Sequence, residues 1–217
     1  MDILYSDNRI LVAIKPCGVL STDEEGGMPR LIRQHLGDEK ACVRTVHRLD
    51  RVVSGVMVFA RSRMAASLLS RQIREGLFRK EYLAVLHGCP EAPAGTLRDL
   101  LARDAASKTT FVTDTPGKDV KEALLHYQTL ASTDTLSLVK IRLETGRTHQ
   151  IRVQFSSRAM PLVGDKKYGR GEPCDIALWS HSVSFSHPQS GEACLFSALP
   201  PDKYPWNQFK NALADLE

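Results

Sequence analysis

Residues His47-Arg48-Leu49-Asp50-Arg51 place one carboxylate between two arginines. The chain then turns apolar, through Val52 and Val53 to the run Val56-Met57-Val58-Phe59-Ala60. A run so rich in β-branched and aromatic residues reads as a strand. Asp50 therefore stands at the entrance to a strand over residues 52–60. Neighbouring cations favour the ionised form of a carboxylate. A carboxylate fixed in such a place can be a nucleophile, a base, or a structural counter-ion.

A second dense cluster is Thr145-Gly146-Arg147-Thr148-His149-Gln150-Ile151-Arg152. Gly146 permits a sharp turn from strand to helix. Arg147 falls at the helix entrance, where free backbone N–H groups favour an anion. His149 and Arg152 are three residues apart and project from one face of a helix over 148–157. Its plain alternative is a helix terminus paired with surface acids. Asp50 and Arg147 each have a special setting beside a strand, and such a pair can form a bidentate ion pair. That pair would be structural, or would hold a reacting carboxylate; the spacing leaves both open. Tyr82 opens a strand over Lys80–His87, on the face shared with Ala84 and Leu86. A tyrosine there is a core aromatic, or an aromatic that stacks on a base and moves a proton.

The elements that would position these residues follow from the pattern. Ile3–Tyr5 and Ile10–Ile14 form a hairpin through Asp7-Asn8. A helix of about two turns opens at Gly26-Gly27-Met28-Pro29. Residues 44–50 connect to the strand at 52–60. Ser62 caps a helix that runs to Gly76. Further strands fall at 96–102, 109–114, 121–131, 136–144, 177–185 and 192–198. The tail, with Trp206 and Phe209, is a short helix that packs on the body or offers a contact surface. The class is α+β, with a mixed, mostly antiparallel sheet and a few helices.

Composition narrows the function. The chain has 217 residues, 42% hydrophobic and 25% charged, which is ordinary for a globular protein. The N-terminus lacks the basic and apolar regions of a signal peptide, so a cytoplasmic location is expected. Cys17, Cys42, Cys89, Cys174 and Cys194 are scattered, without a Cys-x-x-Cys pair. Neither a zinc site nor a disulfide framework is expected from them. The net charge is +4, yet residues 44–80 carry nine basic residues against two acidic ones; the remainder carries 20 against 23. Concentrated arginine is the footprint of a polyanion partner, nucleic acid above all. The alternative is a solvated helix face.

Five blocks occur in order: Lys15-Pro16-x-Gly18, His47-Arg48-Leu49-Asp50-x-x-x-Ser54-Gly55, Lys80-x-Tyr82-x-Ala84, Thr145 to Arg152, and Gly164-Asp165-x-x-Tyr168-Gly169. Together they resemble the RluA-type pseudouridine synthases, over roughly residues 3 to 200. The resemblance implies a sheet split by a central RNA-binding cleft. It implies isomerisation of uridine to pseudouridine in ribosomal or transfer RNA, without cofactor or metal, by a monomer. Residues 1–204 would be the catalytic domain and 205–217 a tail, with no separate N-terminal RNA-binding domain. Asp50 matches the catalytic aspartate, Arg147 the basic residue that pairs with it, and Tyr82 the active-site tyrosine. Arg48, Arg51, Lys80, His149 and Arg152 are then the expected RNA contacts. Two positions depart from the family pattern: Val53, where threonine is usual, and Leu178-Trp179-Ser180, where Leu-His-Ala is common.

The reaction exchanges a ribose bond to uracil nitrogen for one to carbon 5, and the target base must leave its stack, at a cost of a few kcal/mol. Two other readings compete. A non-catalytic RNA-binding protein on the same scaffold would tolerate loss of Asp50. A glycosidase or nucleoside hydrolase would usually need a second catalytic carboxylate, and Glu75 and Glu81, the nearby acids, lack a special setting.

Overall fold

In the computed structural model, residues 2–216 are described. The apolar run after Asp50 becomes strand β4 (Ser54–Ala60), buried along nearly its whole length. Strand β1 (Ile3–Ser6) pairs with β2 (Ile10–Lys15), and β2 lies antiparallel to β4 from Ile10↔Ala60 to Lys15↔Gly55. The other edge of β4 is shared. Strand β3 (Arg44–Thr45) takes its far end, at Phe59 and Ala60. Strand β10 (Leu178–Ser186) takes its near end in parallel, Trp179 opposite Ser54 and Ser180 opposite Gly55. Strand β11 (Ala193–Ser197) pairs with β10. Helix α1 (Met28–Leu36) follows Gly27, and α2 (Arg63–Arg74) begins where the Ser62 hydroxyl accepts the Ala65 N–H at 3.1 Å. Ile10, Val12, Val56, Val58, Leu69, Phe78, Val183 and Phe185 form the core here.

Gly55 marks the tightest approach. Its φ is +122°, and a Cβ would lie 2.4 Å from the Ser180 carbonyl oxygen and 2.5 Å from its nitrogen. Only glycine permits both the conformation and that contact.

These elements form one of two compact units, Met1–Lys80 with Trp179–Pro200. The second is Glu81–Leu178 with Pro201–Glu217. Its strands are β5 (Arg79–His87), β6 (Ala94–Asp104), β7 (Thr109–Thr113), β8 (Lys121–Ser132) and β9 (Leu136–Leu143). They lie antiparallel in the order β5-β9-β8-β6-β7. Helix α3 (Gln150–Ser156) buries Val153 against Leu101 and Ala123. A 3-10 turn at Trp206–Phe209 leads into α4 (Lys210–Ala214), with Trp206, Phe209 and Leu213 buried.

The strand-rich, mostly antiparallel α+β class read from the pattern is the class observed. Two local readings change. The stretch 44–50 contains β3, too short at two residues for any period to reveal. The helix placed at Thr148 starts at Gln150, because His149 takes a left-handed conformation at φ +55°. His149 therefore stands outside the helical turn that was to align it with Arg152.

Candidate active site

The segment carrying Asp50 is held from both ends by backbone contacts. Its own turn closes where the Val53 N–H meets the Asp50 carbonyl at 3.0 Å. On one side, the Ser21 hydroxyl donates to the Leu49 carbonyl (2.8 Å) and accepts the Leu49 N–H (3.0 Å). On the other, the Arg51 carbonyl accepts the Gly18 N–H (2.9 Å), while the Arg51 Nε donates to the Gly18 carbonyl (2.8 Å). The Cys17 thiol reaches the Val52 carbonyl at 3.3 Å. Residues 15–21 thus form a bracket around residues 49–52. Side chains alternate along it: His47 and Leu49 are buried, Arg48 and Arg51 exposed, and Asp50 half-buried. The two arginines read as RNA contacts do face solvent.

Lys15 lies beneath this loop with no exposed surface, and its ammonium donates to the carbonyls of Pro16 (2.9 Å) and Arg51 (3.1 Å). Burial lowers its pKa to about 8, against the opposing pull of the Cys17 and Asp50 charges. The Lys-Pro-x-Gly block gave the position, but nothing in its spacing shows that a lysine is enclosed there.

His47 completes a sheet. Between the stretches of β4 paired to β10 and to β3, the Val58 N–H donates to His47 Nε2 at 3.0 Å. The Ser180 hydroxyl likewise donates to the Val56 carbonyl at 2.9 Å. Two side chains thereby stand in for a missing strand, and satisfy backbone groups that would be costly to bury unpaired. As an acceptor at Nε2, the imidazole must be neutral. Burial, with a smaller contribution from the Lys80 charge, lowers its pKa from 6.5 to about 3. Below about pH 6.5 the unfolded chain therefore binds a proton at this residue that the folded chain refuses. Stability falls as the pH drops from about 6.5 toward 3, by up to ~1.4 kcal/mol per pH unit. His47→Gln keeps an acceptor for Val58 and removes the titration. Urea unfolding between pH 5 and 6.5 is expected to show a shallower pH slope in the variant. Equal slopes would contradict this account.

Val53 is 2% exposed. An apolar methyl suits that position, where a threonine hydroxyl would need a partner. Trp179 is also buried, its indole N–H donating to the Ala198 carbonyl at 2.8 Å. That departure from the family pattern packs inside the first unit and presents little surface to a ligand. Lys80 is half-buried, and burial lowers its pKa.

In the second unit, Tyr82 is 5% exposed and pairs with Ile141 across β5 and β9. The turn before α3 is built around Gln150, whose Oε1 accepts the Thr145 hydroxyl (2.8 Å) and the Arg147 N–H (3.0 Å). Arg147 is exposed, with its Nε donating to the Glu122 carbonyl at 2.8 Å. The stem of its guanidinium is thereby fixed while the head meets solvent.

Arg152, expected among the RNA contacts, is 5% exposed and grips Asp165 with two bonds of 2.7 Å, from Nε and Nη2. Asp165 Oδ1 also accepts the N–H groups of Lys167 (2.9 Å) and Tyr168 (3.1 Å). Burial pulls the Asp165 carboxyl upward, but Arg152 and these N–H groups outweigh it and hold its pKa below the usual range. The Tyr168 ring lies 5.1 Å from the Arg152 guanidinium carbon. Its hydroxyl accepts the Thr110 N–H (2.8 Å) and sits 2.7 Å from His149 Nδ1. Asp165 and Tyr168 thus support both Arg152 and His149. Sequence reasoning assigned them no role, although the Gly-Asp-x-x-Tyr-Gly block marked their positions.

Residues 9–157 match the family model described as RNA pseudouridylate synthase. The uncharacterized RNA pseudouridine synthase YhcT of Bacillus subtilis is 36% identical, over 93% of this chain and 69% of that protein. The ribosomal large subunit pseudouridine synthase D of Neisseria meningitidis is 32% identical, over 94% of this chain and 59% of its own. In fold, the human RNA pseudouridylate synthase domain containing 1 is similar at a TM-score of 0.79 and 24% identity, covering 98% of this chain and 94% of that one. The chain belongs to the RluA-type RNA pseudouridylate synthases, isomerases that form pseudouridine in RNA.

Proposed function

We propose that Asp50 is the carboxylate that acts on the target ribose, in a structured ribosomal or transfer RNA. The observation that carries this is its presentation: a half-buried carboxylate on a loop bracketed at Leu49 and Arg51, between two exposed arginines. In the reaction the C1′–N1 bond breaks and a C1′–C5 bond forms. The C5 proton leaves and N1 gains one, so atoms balance within the nucleotide. Two routes use the carboxylate. It can attack C1′, expel N1 and hold the ribose as an ester until C5 displaces it. Or it can remove the 2′ proton to give a glycal, to which C5 adds as that proton returns.

Tyr82 is assigned to the uracil, with its phenol helping to move the C5 proton, and Arg147 to charge balance during the exchange. Arg48, Arg51, Lys80 and His149 are assigned to phosphates and to the place the flipped base vacates. Arg152 acts from inside the protein, through Asp165. The name of the Neisseria relative favours large-subunit ribosomal RNA as substrate, and the cytoplasm is where a monomer would meet it. Among the described residues no helix is long and apolar enough to cross a membrane. The reading is tested by mapping pseudouridines in total RNA from a strain lacking the protein. At least one site in large-subunit ribosomal or transfer RNA is expected to revert to uridine. Maps identical to wild type would overturn the assignment.

A further inference from the structure

Helix α2 carries an arginine face that the chemistry around Asp50 does not use. At 100° per residue, Arg63, Ser67, Arg71 and Arg74 fall within one exposed arc, opposite buried Ala65, Leu69 and Gln72. Met64, 59% exposed, borders it. Arg71 has one loose ion pair, to Glu75 at 3.8 Å, with both side chains mostly exposed. Among the described residues, Arg63 and Arg74 have no carboxylate partner. Exposed ion pairs contribute little, so the arc is cationic with only the loose Glu75 contact against it.

Helix stability does not account for this pattern. Arg71 and Arg74 lie in the last turn, where the helix dipole favours cations, but Arg63 opens the first turn, where it opposes them, and no acid stands there. Arg71 and Arg74, three apart, also repel one another by a few tenths of a kcal/mol. A polyanion lying along the helix would relieve both costs. From Arg63 to Arg74 the arc extends roughly 16 Å at about 1.5 Å per residue, enough to meet several phosphates of one strand.

We infer that the Arg63-Arg71-Arg74 face of α2 is a second RNA-binding surface, which holds the phosphate backbone of substrate RNA outside the reacting nucleotide. It rests on the chain's acting on RNA and is independent of the role given to Asp50. The face reads charge and spacing, so it contributes affinity and no base preference.

The test measures binding of a mixed-sequence 24-base-pair RNA duplex by anisotropy, from 50 to 200 mM salt, with the full chain. Each lost phosphate contact lowers the slope of log affinity against log salt by about 0.9. The triple variant R63Q/R71Q/R74Q is expected to lose roughly 2–3 from that slope. R63K/R71K/R74K keeps the charges and is expected to keep the slope, which separates loss of charge from damage to the helix. R30Q/R98Q/R142Q removes the same net charge from exposed arginines outside this face, and is expected to leave the slope near wild type. The proposal is overturned if the first variant keeps the wild-type slope, or if the R30Q/R98Q/R142Q variant loses as much. Asp50→Asn, measured beside them, is expected to bind as wild type. Its loss of isomerisation or otherwise bears on Asp50 alone.

Discussion

Asparagine at position 50 is expected to lower pseudouridine formation by on the order of 10⁴–10⁶-fold, the scale on which loss of a single catalytic group acts. Asparagine has the shape of aspartate. The contacts that bracket the loop run through the backbone of Leu49, Asp50, Arg51 and Val52, the Ser21 hydroxyl and the Arg51 guanidinium. Arg48 and Arg51, the proposed RNA contacts, remain in place, so RNA binding is expected to be retained. What asparagine lacks is the anionic oxygen proposed to attack C1′ or remove the 2′ proton. Release of tritium from RNA labelled at uridine C5 reads the isomerisation, and anisotropy reads binding in the same samples. Activity near wild type would end the assignment of Asp50. Loss of activity together with loss of binding would mean that the loop, and not its carboxylate, had been damaged.

The largest expected effect on stability comes from Arg152→Met. Asp165 is 1% exposed, and removal of its guanidinium partner leaves a buried charge with only backbone donors. Breaking such a pair costs roughly 3–5 kcal/mol. For a chain of this size the melting temperature should fall by on the order of 10 °C. Arg152→Lys keeps the charge but cannot span both carboxylate oxygens, and it should fall between the two. The effect also depends on pH with a definite sign. The folded Asp165 pKa lies below its unfolded value, so the stabilisation is complete above the unfolded value and lost as pH falls through the folded one. The difference between wild type and Arg152→Met should therefore shrink in acid. Calorimetric scans at neutral and acid pH check both points, and a variant that melts with wild type at neutral pH would refute the argument.

These two residues also show how far the sequence could be read. The loop of Asp50 was legible because a charged block meets a β-branched run, and the 80–144 strands were legible because each alternates or ends at a turn. Arg152 was not, because Gln150 to Phe155 are all buried. A helix enclosed on every side has no polar face, so its period cannot tell an inward arginine from an outward one. Its partner Asp165 lies 13 residues on, beyond any local spacing rule. His47 and Lys15 were missed for a related reason. Each replaces or supports backbone hydrogen bonds of a distant segment, at Val58 and Arg51. Such a role appears only once strand register is known. The arginines of α2 were visible as a charge excess, yet only the helix phase separates Arg63, Arg71 and Arg74 from those committed elsewhere, such as Arg61, which donates to the Asp7 carbonyl at 2.8 Å.

The parallel pairing of β4 with β10 joins Gly55 to Ser180, and this has a consequence for how the chain is made. Synthesis delivers β1 to β4 and α2 early, but β10 and β11 emerge only after more than a hundred further residues. Meanwhile β6 with β7 and β8 with β9 are antiparallel pairs of consecutive strands that can zip as they leave the ribosome. The segment bearing Asp50 thus waits with one edge of β4 uncovered near Gly55, and an open strand edge invites pairing with another chain. The edge of β4 beside the Asp50 loop is thus covered late, by a strand that contributes no proposed catalytic group.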